Sequence, residues 1–85
     1  MEGKYIIFDE MVSVVFPATL QHVEVATGIS RKPTSAGFFC TDEEDGDIEA
    51  YGGSVSLKLD SREEDAELID RLFASKRTNN EKRIL

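Results

Sequence analysis

This chain of 85 residues has no second cysteine, no second histidine, no long apolar run and no surplus of base. With Cys40 alone, neither an internal disulfide nor a cysteine-rich zinc module can form, and a reducing cytoplasm is the expected setting. Cys40 itself is expected as a buried, inert strand thiol. The longest apolar runs, Tyr5-Ile6-Ile7-Phe8 and Val14-Val15-Phe16, are far too short to cross a bilayer, so no membrane partner is expected. No basic start is followed by an apolar stretch, so no secretory leader is expected. Lys and Arg number 10 against 17 Asp and Glu, a formal net charge of −7. Phosphate-backbone binding depends on Lys and Arg, so direct nucleic-acid binding is not expected as the main activity. The acidic balance points to basic protein partners, or to mimicry of nucleic-acid charge.

A chain this short makes one domain. Residues 4–8, KYIIF, and 12–16, VSVVF, read as strands joined by a turn at Asp9-Glu10. Pro17 suits the first turn of a helix, which would place Leu20, Val23, Val25 and Ala26 on or near one face and stop at Gly28. Residues 29–34 read as a loop. Residues 35–41, SAGFFCT, and 48–51, IEAY, read as strands joined by the acidic turn DEEDGD, and Gly52-Gly53 as a bulge or a hairpin turn. In SVSLKLD the residues Val55, Leu57 and Leu59 alternate with Ser54, Ser56 and Lys58, a half-buried strand with its serines outward. Ser61 and Glu64 fit a capping box, followed by a helix whose Ala66, Ile69, Leu72 and Phe73 face inward and which ends near Ser75. The expected fold is therefore α+β in the order β-β-α-β-β-β-α. It is a single domain over residues 1–75, a mainly antiparallel sheet of four or five strands with both helices on one face, and a basic, flexible tail over 76–85.

No constellation in the sequence names a chemistry. Aligning Gly46 with the glycine of a calcium loop puts Thr41 and Gly52 at positions that need ligands, so a solvated hairpin tip is the better reading, and no metal or cofactor is expected. His22 could join a hydrolytic triad only by finding Ser and Asp in space, and no nucleophile elbow accompanies it; it reads first as a partly exposed helix histidine, then as a ligand or interface contact. Arg31 and Lys32 lie in a polar loop that lacks the phosphate-loop pattern, yet with Arg62 and Tyr51 they could hold a small anion. The stretch AYGGSVS sets the ring of Tyr51 beside glycines and the serines Ser54 and Ser56, a combination suited to close contact.

Thr34-Ser35-Ala36-Gly37-Phe38, Tyr51-Gly52 with Ser54 and Ser56-Leu57, and Ser61-Arg62 with Glu64-Asp65-Ala66 and Leu68-Ile69 together resemble small uncharacterised proteins of bacteriophages and prophages. The resemblance runs from about Lys4 to Phe73. It implies a host cytoplasm, a small accessory gene product and antagonism of a host system, and it brings no activity or site residues.

Three functions follow in order. The first is a non-enzymatic interaction protein that binds and blocks a host macromolecule, a host protein above all, through Tyr51, Ser54 and Ser56, with self-association through the same surface as a variant. The alternative is a module that sequesters a small anionic metabolite or nucleotide with Arg31, Lys32, Arg62 and Tyr51. A hydrolase built around His22 ranks last.

Overall fold

The computed structural model describes residues 1–42, 44 and 46–84, with side chains as far as Ala74. It is an α+β domain. Strands β1 (Glu2–Phe8), β2 (Val12–Phe16), β3 (Pro33–Thr41) and β4 (Ile48–Tyr51) form one antiparallel sheet in the order β2-β1-β3-β4. Helix α1 (His22–Thr27) lies between β2 and β3. After β4 come the short strands β5 (Gly53–Ser54) and β6 (Leu59–Asp60), paired as a separate hairpin, and then α2 (Asp65–Ile84).

Tyr5, Ile6, Ile7 and Phe8 of β1 are all fully buried. A run of consecutive apolar residues in a strand requires cover on both faces. Accordingly the sheet has two cores. Tyr5, Ile7 and Phe39 pack with Ile69 of α2 on one face, with Leu68 and Phe73 joining them. Ile6, Phe8, Phe16 and Ala36 pack on the other, under Val25 and Ala26 of α1 and under Leu57 and Leu59 of the hairpin. Burying side chains of this size contributes about 1.5–3 kcal/mol each. The helices thus sit on opposite faces, not together on one as the sequence pattern predicts. A third layer, α1 with the hairpin, takes the place of an open sheet surface.

The expected strand over 54–59 is instead a tight hairpin. Gly52 leaves β4 at φ 71°, a conformation that side-chain-bearing residues rarely adopt. A Cβ on Gly53 would lie 2.8 Å from the Leu59 carbonyl oxygen across the hairpin, so only glycine fits. The turn itself is closed by serine: Ser54 Oγ accepts the Leu57 N–H at 3.2 Å and lies 3.2 Å from Ser56 Oγ. Ser54 is therefore buried, while Val55 at the tip is 95% exposed, the reverse of the orientation that the alternation predicts. Leu57 and Leu59 do reach the core.

Two helix starts also differ. Pro17 opens a turn closed by Leu20 N–H on the Pro17 carbonyl at 3.1 Å, and α1 begins only at His22. Leu20 and Val23 are consequently exposed, and Gly28 ends the helix as expected. At α2 the reach-back acid is Asp65, not Glu64: its Oδ2 accepts the Arg62 N–H at 2.9 Å. The cap falls one residue later than the Ser61 register predicts. The α2 backbone continues past Ser75 to Ile84; no glycine or proline interrupts it, which fits the cost of either residue in a helix interior. Of the acidic turn, Glu43 and Asp45 lie outside the described residues, as does Leu85 of the expected tail.

Candidate functional site

The most concentrated polar chemistry lies between the sheet and α2. Tyr5 on β1 and Ser35 on β3 project from the α2 face, where Ile7 and Ser35 are cross-strand partners. The Tyr5 hydroxyl donates to Asp65 Oδ2 at 2.6 Å and the Ser35 hydroxyl to Asp65 Oδ1 at 2.9 Å. With the Arg62 N–H, the Asp65 carboxylate accepts three hydrogen bonds, and Arg62 Nε approaches its Oδ1 at 3.7 Å. Burial, then the hydrogen bond from Tyr5 to Asp65, pushes the Tyr5 phenol well above its ordinary value. Serine, tyrosine and carboxylate in contact could invite a catalytic reading. All three residues, however, are at 0% exposure, so no substrate meets them. Their role is to pin the start of α2 to the sheet. Sequence reasoning counted Asp65 only as a first-turn acid, and no local pattern marks its long-range partners.

The basic residues proposed for an anion gather at the β1–β2 turn, where Arg31 and Arg62 are already matched by acid. Arg31 pairs with Asp9 at 3.4 Å, and the Asp9 N–H donates to the Lys32 carbonyl at 2.9 Å. Arg62 faces Glu64 at 3.4 Å, Asp65 at 3.7 Å and Glu10 at 3.9 Å. Tyr51 is not with them. Its row of the sheet crosses β1 at Lys4, five residues and roughly 17 Å along the strand from Asp9.

That row is the second constellation. Phe16, Lys4, Phe38 and Tyr51 are consecutive cross-strand partners on the α1 face. The rings of Phe38 and Tyr51 stack with centroids 5.9 Å apart and planes at 21°. His22, the first residue of α1, sits edge-on between Phe16 at 5.5 Å and Phe38 at 5.9 Å. Its Nε2 is 2.9 Å from the Gly37 carbonyl oxygen. His22 is buried, against the partly exposed placement expected from sequence, because α1 starts at this residue and lays it on the sheet. It anchors the helix and supports the rings. Lys4 Nζ donates to the Leu20 carbonyl at 2.8 Å and stands 5.8 Å from the centre of the Phe38 ring.

Beyond this row α1 no longer covers the sheet. The next row towards the start of β1 is Glu2, Cys40 and Glu49, again cross-strand partners. Glu2, Glu49 and Tyr51 are exposed, and Cys40 and Phe38 partly so. Desolvation, then the charges of Glu49 and Glu2, push the Cys40 thiol up, which makes it a poor nucleophile. It is half-buried, not enclosed as expected.

The structure thus brings Tyr51 and His22 together through Phe38. It gathers Arg31, Lys32 and Arg62 at the opposite end of β1, and it uses Ser54 and Ser56 to close the hairpin. Among the described residues no group of three or more His, Cys, Asp or Glu is placed to hold a metal, and no helix is long and apolar enough to cross a membrane. Compared with known proteins, the chain matches no family, no curated protein and no solved structure.

Proposed function

We propose that this chain is a small non-enzymatic interaction protein, and that it contacts a protein partner through the open part of the α1-side sheet face around Tyr51. One observation carries the reading. Tyr51 is 45% exposed yet braced from behind by Phe38. A rigid aromatic held at a surface loses little entropy on binding and supplies large contact area. The serine–tyrosine–carboxylate group, the nearest thing to catalytic machinery among the described residues, is sealed, which supports binding over turnover. The small acidic body suits a blocking role against a host protein, the kind of antagonist that phage-carried accessory proteins supply. Pairing of Arg31 and Arg62 with carboxylates argues against sequestration of an anionic metabolite.

The experiment is capture from bacterial lysate with the wild-type chain and with Tyr51→Ala, quantified by mass spectrometry. Tyr51→Ala gives up the stack on Phe38, so it should stay folded with a melting midpoint lower by roughly 4–8 °C, and capture is compared well below that midpoint. A protein retained by the wild type and depleted about tenfold or more by the variant supports the reading. Capture that is indifferent to Tyr51 contradicts it.

A further inference from the structure

We infer that the group recognised at this surface is the cationic side chain of a basic protein segment, an arginine above all, seated on the outer face of Tyr51 beside the carboxylate of Glu49. This rests on the reading of Tyr51 as the contact and adds the chemistry of what it contacts.

Four observations converge on it. First, one face of the Tyr51 ring is occupied by Phe38, and no other ring or cation packs on Tyr51 among the described residues. Second, the inner ring of the pair already holds a cation: the Lys4 ammonium stands over Phe38. The same electron-rich face is available on Tyr51, without its cation. Third, Glu49 is two residues from Tyr51 on the same strand and therefore on the same face. Cys40 Sγ donates to Glu49 Oε2 at 3.8 Å, which places that carboxylate on this side of the sheet. Fourth, Glu49 has no ion-pair partner among the described residues. The site is thus an aromatic face with one carboxylate beside it, and the net charge of −7 disfavours an anionic occupant. Arginine fits better than lysine because its planar guanidinium stacks on a ring while donating in-plane to a carboxylate.

The test is titration of the isotope-labelled chain with an acetylated hexa-arginine amide, followed by NMR, with a hexa-citrulline peptide as the neutral control. Expected are shifts concentrated at Cys40, Glu49, Ala50 and Tyr51. Binding should weaken roughly two- to fivefold in Tyr51→Ala and in Glu49→Gln, and the citrulline peptide should give no shift. Asp70→Asn removes the same charge on α2, behind the opposite face of the sheet, and should leave binding unchanged. Equal weakening by Asp70→Asn, shifts spread over the acidic surface, or full binding by Tyr51→Ala would each show general attraction to an acidic chain and overturn the inference. A partner captured through Tyr51 that ignores Glu49→Gln would sink this inference and leave the interaction reading intact. An arginine peptide seated at Tyr51 with no Tyr51-dependent partner would do the reverse.

Discussion

Tyr5 and Asp65, separated by 60 residues in sequence, are joined by a hydrogen bond of 2.6 Å in the fully buried layer between the sheet and α2. The same carboxylate holds the Ser35 hydroxyl and the first N–H of the turn that starts the helix. One side chain therefore fixes where α2 begins and where it docks. Asp65→Ala would strand two buried hydroxyls and an N–H. Each stranded group costs about 1–3 kcal/mol, so the variant should lose about 3 kcal/mol or more, a large part of the stability of so small a domain. Urea denaturation should show it as a lower midpoint. Tyr5→Phe, which leaves the carboxylate two of its three donors, should cost about 1–2 kcal/mol.

Alkaline stability tests the same contact. The folded-state phenol of Tyr5 is raised above its unfolded value of about 10. The contribution is complete below that value and is lost as the pH rises through the window between the unfolded and the raised folded value, where the unfolded chain has released a proton that the folded one retains. Stability should fall there by up to about 1.4 kcal/mol per pH unit from this group. In a Tyr51→Phe background, phenolate absorbance should rise only together with loss of the far-ultraviolet helix signal. Ionisation of Tyr5 in the folded chain would disprove the burial of its hydrogen bond.

The β1–β2 turn carries avoidable strain. Asp9 and Glu10 adopt φ of 51° and 64°, and the Met11 N–H closes on the Phe8 carbonyl at 3.1 Å. Two successive left-handed residues favour Asn-Gly at such a turn. Glu10→Gly should stabilise by about 1 kcal/mol, a rise in melting midpoint of roughly 4–8 °C for a domain of this size. Its ion pair with Arg62, at 3.9 Å and largely exposed, is too weak to offset that gain.

The hairpin gives a pair of opposed outcomes. Val55→Ser at the exposed tip should change stability by less than about 0.5 kcal/mol. Ser54→Arg, by contrast, forces a charge into the closed turn and should lower the melting midpoint measurably. Calorimetry that ranked them the other way would restore a continuous strand through residues 54–59.

Those outcomes separate what was legible in the sequence from what was not. The main strands, both helices and the order of elements can be read from β-branched runs and helical spacing. The run Tyr5-Ile6-Ile7-Phe8 also carried the sign of a two-sided sheet, since it lacks the alternation of a strand with one wet face. The alternation over Ser54–Leu59 misled because a four-residue turn closed by Ser54 produces the same period as a strand, and only its packing tells them apart. Ser61 and Glu64 matched the capping pattern, yet Asp65 could reach Tyr5 and Ser35, and that tertiary bond fixed the register one residue later. Tyr51 stood out by composition. Its support by Phe38 depends on cross-strand register, which no local pattern records.

The interaction reading is tested most directly by the footprint of a captured partner on the isotope-labelled chain. Amide shifts should fall on Glu2, Lys4, Phe38, Cys40, Glu49 and Tyr51, and vanish when the partner is added to Tyr51→Ala. A footprint on α2 around Glu67, Asp70 and Arg71, with the Tyr51 row unmoved, would contradict the assignment of this surface.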